Sequence, residues 1–157
     1  MKVKKIIASL LVLALLAGAY SIDLKASDGD TWLNPTAQGY VNEISAQYGI
    51  QPELVEAIIE TESSCNNSAT NGTCYGYMQV NGAVWGYGYR SEYANISKGV
   101  EVLANYFEQA DGEVCLALDL YNGNSKAHRL NESGTISTYA KKITTRAHEL
   151  EVLHYGS

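Results

Sequence analysis

Positive charge is scarce in this sequence: 11 Lys and Arg stand against 17 Asp and Glu, a net charge of −6. Nucleic acid and anionic lipid both require clustered Lys and Arg, so neither is expected as a partner. Any anionic polymer this chain binds must be gripped by something other than bulk charge. Cysteine is also sparse, at three. There is no C-x-x-C, and His128, His148 and His154 show no ligand spacing relative to the cysteines. That argues against a zinc centre, and no metal or cofactor is expected. No run of alternating apolar and polar residues makes a strand, and neither an internal repeat nor a domain linker is visible.

What is present begins with an export signal. MKVKK is a basic n-region, IIASLLVLALL an apolar stretch of eleven, and Ala17-Gly18-Ala19 an A-x-A-type cleavage site. The apolar stretch is shorter than the ~20 residues of a membrane-spanning helix. Counting on through Tyr20 lengthens it, so an uncleaved anchor is the alternative. No cysteine follows it, which argues against a lipid anchor. A second possible cut lies after Ala26. Residues 1–19 therefore read as a signal peptide and 20–33 as an unpatterned leader, with one fold from 34 to 157. The expected location is secreted, periplasmic or at the cell envelope. Cleavage removes Lys2, Lys4 and Lys5 and no acid, moving the net charge from −6 to −9.

The remaining chain is enough for one compact core. Asn34-Pro35 offers an N-cap with proline in the first helical position, and that helix runs to Gly49. Pro52 opens a second helix, which ends near Glu62-Ser63. Residues 64–95 are rich in Gly and Asn, and Tyr75, Tyr77, Trp85, Tyr87, Tyr89 and Tyr93 crowd into them. A third helix covers 96–110, a short fourth 114–121, and the last starts from Ser137, with Tyr139 or Ala140, Ile143, Ala147 and Leu150 facing inward. Residues 124–136 read as a polar connection. The fold is mainly α. Cys65 and Cys74 bracket a short polar segment, and joining them would contribute roughly 2.5–3 kcal/mol in the chain-entropy account. Three pairings are open; 65–74 is the favoured one, leaving Cys115 as a buried thiol.

One acid is out of place. Glu53, Glu56 and Glu60 read as the water-facing side of the second helix, whereas Glu62 falls within about 60° of Val55, Ile58 and Ile59. It also sits near the helix C-terminus, where the macrodipole disfavours negative charge. Burial and dipole together disfavour the carboxylate, and a carboxylic acid held neutral is what protonation of a leaving glycosidic oxygen requires. The plainer reading is a terminal glutamate turned to solvent. The aromatic loop points the same way as the acid: sugars rest flat C–H faces on aromatic rings while Asn and Gln meet their hydroxyls. The competing reading is that several of these tyrosines are core filler with tethered hydroxyls.

Glu62-Ser63, then Gly76-Tyr77-Met78-Gln79, then Ala117-Leu118-Asp119-Leu120-Tyr121-Asn122-Gly123 resemble three successive signatures of the lytic transglycosylases with the soluble-transglycosylase (SLT) domain. The likeness covers roughly residues 36–150, in order and spacing. It implies a single lysozyme-like (goose-type) helical domain with a loop-rich cleft. The implied substrate is the peptidoglycan glycan strand, cut at the MurNAc-β-1,4-GlcNAc bond with formation of a 1,6-anhydro sugar. By match, Glu62 is the catalytic acid and base. Tyr121 hydrogen-bonds Glu62, while Ser63, Met78, Gln79 and Asn122 line the site. No cofactor is implied, and a monomer is expected.

Two positions depart from the family pattern. Cys65-Asn66-Asn67 stands where an apolar residue and Asn-Pro are usual, so a 65–74 bridge would do the loop-fixing there. Val80-Asn81 follows the Met-Gln turn where many members have proline, a form that resembles small members serving secretion or conjugation machinery and also lysozyme-type hydrolases. A muramidase that hydrolyses the same bond and a non-catalytic wall-binding protein are the alternatives.

Overall fold

The computed structural model describes residues 33–156. The expected signal peptide, its expected cleavage sites and the expected leader up to residue 32 lie outside the described residues. Seven helices and one small hairpin are found among them. Helix α1 (Pro35–Tyr48) starts on Asn34, whose Oδ1 accepts the Ala37 N–H at 2.9 Å, and stops at Gly49 in the left-handed conformation. Helix α2 is Pro52–Ser63. A loop leads to β1 (Cys74–Tyr75) and β2 (Val80–Asn81), paired antiparallel, and then the single turn α3 (Gly82–Trp85). Helices α4 (Glu92–Gln109), α5 (Val114–Tyr121), α6 (Ala127–Glu132) and α7 (Thr138–Tyr155) complete the chain. No described helix is long and apolar enough to cross a membrane.

The core is built where the helical periodicity places it. Val41 and Ile44 of α1, Val55, Ile58 and Ile59 of α2, and Ile96, Val100 and Leu103 of α4 are fully buried together with Leu118, Ile143 and Leu150. Helix α2 packs against α7 and α1, while α4 packs against α1 and α5. Three details were not visible in the pattern. The strands have two residues each, too short to show alternation. Helix α6 lies inside the polar stretch 124–136 and buries only Ala127, so it has no apolar period to detect. Helix α4 begins at Glu92 because the Ser91 hydroxyl caps it, ahead of the first core residue on its buried face.

The largest correction concerns the acids of α2. Glu53 and Glu56 do not face water; they are 4% and 2% exposed. Helix α7 lies over that side of α2. Its His154 places Nδ1 3.0 Å from Glu53 Oε1 and Nε2 3.8 Å from Glu56 Oε2. Gln38 of α1 donates to Glu56 Oε1 at 2.5 Å. One turn further on, Arg146 takes Glu60 in two contacts, at 2.7 and 3.1 Å, and also reaches Glu149 at 3.1 Å. A planar guanidinium fork suits such bidentate pairing. The apparent polar face of α2 is thus an internal polar seam, fastened to the last helix.

Burial raises the Glu56 carboxyl above its ordinary value, and Glu53 and Glu60 add to this, against lowering by Gln38 and His154. A raised folded-state value means that this group's stabilising contribution is complete below the unfolded value and is lost as pH rises through the folded one. Glu56→Gln keeps the Gln38 contact and removes the buried charge. It should melt higher than the parent at pH 7 to 8, with the difference shrinking as the pH falls below ~4.3, the ordinary glutamate range.

Cys65, Cys74 and Cys115 are free thiols, so the 65–74 bridge favoured by spacing is absent. Asparagines hold the loop instead. Asn67 accepts the Tyr77 N–H at 3.4 Å and donates to the Arg90 carbonyl at 3.0 Å, while Asn71 Oδ1 accepts from Thr73 N and Cys74 N. Thiol titration of the unfolded, unreduced protein should count three groups, and reductant should leave the melting temperature unchanged.

Candidate active site

Glu62 occupies the penultimate position of α2 and is half-buried. Its Oε1 accepts a 2.5 Å hydrogen bond from the Tyr139 hydroxyl, contributed by the first turn of α7. Burial lifts the Glu62 carboxyl above its usual range, and the Tyr139 bond and the Lys142 charge pull back only in part. Desolvation therefore outweighs both, and such a perturbed carboxyl marks a candidate site. The phenol of Tyr139 is itself pushed far up, first by burial and then by the Glu62 charge. It stays protonated and remains a donor.

Tyr121 does not hold Glu62. Its hydroxyl donates 2.7 Å to the Met78 carbonyl, although Glu62 lies near enough to raise its pKa further, after burial. The reason is the direction of α5: Tyr121, its last residue, points to the hairpin turn, while the start of α7 passes nearer the end of α2. Tyr139 is the functional residue missed at the Glu62 carboxylate. The available signal was weak. Its neighbour Ala140 fills the buried stripe of α7, which leaves Tyr139 at the edge of that stripe, half-buried with a hydroxyl in need of a partner.

The other matched residues play unequal parts. Met78 has no exposed surface, and a Cβ on Gly99 of α4 would meet its Cβ and Sδ at 2.5 Å. It supports the turn from beneath and does not line a cleft. Ser63 is buried, and its hydroxyl donates back to the Ile59 carbonyl at 2.9 Å. Gln79 sits at a φ of 47°, and its amide donates to the carbonyls of Ala69 at 3.1 Å and Gly76 at 3.0 Å. Its role is to clamp the loop. Asn122 alone of the four is exposed, and no partner of its side-chain amide is seen among the described residues.

Asn95, fully buried on α4, is a second residue that sequence reasoning passed over. It accepts the Met78 N–H at 2.9 Å and donates to the carbonyls of Tyr75 and Tyr89 at 2.9 and 3.0 Å. The approach is so close that a Cβ on Gly76, at a φ of 80°, would stand 2.3 Å from the Asn95 amide. Glycine is required there. The 76–79 turn is thus fixed by Asn95 from one side and Tyr121 from the other.

The aromatic cluster divides in two. Tyr75 and Tyr77 are buried, with hydroxyls tied to the Gly86 carbonyl at 2.6 Å and to Glu92 Oε1 at 2.9 Å. Burial and Glu92 push the Tyr77 phenol up to about 12. Trp85, Tyr87 and Tyr93 are 36%, 50% and 43% exposed. Lys98 rests its ammonium 5.6 Å from the Trp85 ring centre and 4.9 Å from that of Tyr89, and Arg90 stacks 4.8 Å from that of Tyr75. Tyr87 stacks on Tyr75 at 5.9 Å between ring centres, while Tyr93 meets Tyr40 of α1 edge-on at 5.2 Å. Among the described residues no group of His, Cys, Asp or Glu is placed to hold a metal ion.

A mainly helical domain, with a half-buried glutamate of raised proton affinity at the end of a buried helix and a clamped Gly-x-Met-Gln turn, fits the lysozyme-like class. The model of the transglycosylase SLT domain family matches residues 39–143, two thirds of the chain. The protein belongs to that family.

Tyr139→Phe removes the one hydrogen bond that lowers the Glu62 proton affinity. The Glu62 carboxyl should titrate higher in that variant than in the parent when followed by NMR of labelled glutamate side chains.

Proposed function

We propose that the chain is a lytic transglycosylase of peptidoglycan, cleaving the MurNAc-β-1,4-GlcNAc bond with formation of 1,6-anhydro-MurNAc. The observation that carries this reading is the half-buried Glu62, desolvated and held by a phenol, with Tyr139 and Lys142 and no carboxylate among the groups that act on it. A single acid suffices for this reaction, because the substrate supplies its own nucleophile. Glu62 gives its proton to the GlcNAc O4 as the C1–O4 bond breaks. The resulting carboxylate takes the proton of the muramic C6 hydroxyl as O6 bonds to C1, which returns Glu62 to its acid form. No water is consumed. Glycosidases that work with two carboxylates need the second one to activate water or to form a covalent intermediate.

Family membership supports peptidoglycan as the substrate class, and the exposed rings of Trp85, Tyr87 and Tyr93 suit sugar faces in a chain of negative net charge. The basic and apolar segment at residues 1–19 supports export to the envelope, where that polymer lies. The Val80-Asn81 continuation supports service to a secretion or conjugation machine.

Product analysis decides the reaction. Digestion of purified sacculi should release muropeptides lighter by one water than hydrolytic products; products of hydrolytic mass would make the protein a muramidase. Glu62→Gln should lower the rate of turbidity loss by at least ~100-fold while sedimentation with sacculi persists. A parent protein that sediments with sacculi and releases nothing would be a binding protein.

A further inference from the structure

Asp119 is buried on α5 at 3% exposure, and its Oδ1 accepts a 2.5 Å hydrogen bond from the Ser137 hydroxyl. Ser137 is the N-cap of α7, and its Oγ also accepts the Ala140 N–H at 3.0 Å. Tyr139, in the first turn of that helix, delivers its hydroxyl to Glu62. A serine caps a helix adequately by itself. Burying a carboxylate is costly by comparison, and no cation is paired with Asp119 among the described residues. The cap alone does not account for so costly a group.

We propose that Asp119 is a positioning residue for Glu62, acting through Ser137 and Tyr139. The first turn of a helix has no preceding turn to hold it, so the place where α7 begins sets where the Tyr139 hydroxyl arrives. Asp119 fixes that start against α5. The same helix ends in Tyr121, which holds the 76–79 turn through the Met78 carbonyl. Helix α5 therefore anchors both the start of α7 and the 76–79 turn. The Asp119 charge also helps to keep the Tyr139 phenol protonated, so the hydroxyl remains a donor to Glu62. The charged or titratable groups facing this path are few. Glu62 meets Tyr139 and Lys142 of α7 and Tyr121 of α5, and Asp119 meets Cys115 of its own helix and Tyr139.

That this positioning serves catalysis rests on the function proposed above; the positioning itself does not. The test is therefore the titration of Glu62, followed by NMR in the full chain without substrate. Asp119→Ala should raise the Glu62 pKa in the same direction as Tyr139→Phe, and the double variant should titrate like Tyr139→Phe alone, as expected of residues acting in series. Asp119→Asn, which keeps an acceptor for Ser137, should fall between parent and alanine variant, and it carries the comparison if the alanine variant does not fold. On glycan strands Asp119→Ala should lower kcat about tenfold with KM unchanged. A Glu62 titration that is the same in parent and Asp119 variants overturns the proposal, as does full additivity with Tyr139→Phe. A parent protein without activity on peptidoglycan would overturn the functional reading and leave the titration result standing.

Discussion

The contact between the Tyr139 hydroxyl and the Glu62 carboxyl joins the last helix to the second across 77 positions of sequence. It has two opposed effects. Burial raises the proton affinity of Glu62, yet a dry carboxyl with no partner would be free to turn away or resist ionisation altogether. A phenol donor resolves this. It orients the acid and eases the charged state slightly, while burial raises its proton affinity. The surrounding elements can be understood as what is needed to bring that one hydroxyl to that one oxygen.

Helix α2 carries four acids, and the fold treats them in three ways. Glu53 and Glu56 are enclosed with His154 and Gln38, Glu60 is locked in a bidentate pair with Arg146, and Glu62 accepts its hydrogen bond from a neutral hydroxyl, with Lys142 acting on it through charge alone. The first three fasten α7 along the length of α2. That seam keeps the far end of α7 in register, so its first turn reaches Glu62 in the right place. A polar interface is costly compared with an apolar one, but it permits one alignment of the two helices where an apolar stripe would permit sliding.

Between residues 64 and 81 the chain is held by side-chain amides. Asn67, Asn71, Gln79 and Asn95 each bond backbone groups of the loop or the turn. This explains how the family's loop survives here without the usual aromatic and proline, and without a disulfide. It also explains why Gln79 and Met78, which the family resemblance placed at the substrate, turn out to be spent on holding the backbone. Their position in the motif reflects the shape of the turn as much as contact with a ligand.

The sequence by itself determined the helices with a clear apolar stripe, down to the limits of α5, because side-chain periodicity and capping residues are local properties. It also singled out Glu62, since its angular offset from the other acids needs only the pitch of one helix. Tertiary structure decided the rest. Which face of α2 is enclosed depends on where α7 lies, so Glu53 and Glu56 read as solvent-facing until that helix is in place. Which tyrosine reaches Glu62 depends on how α5 and α7 cross the end of α2, and no spacing within either helix carries that information. Contacts between distant segments are set by packing geometry, and a linear pattern holds only the local half of it.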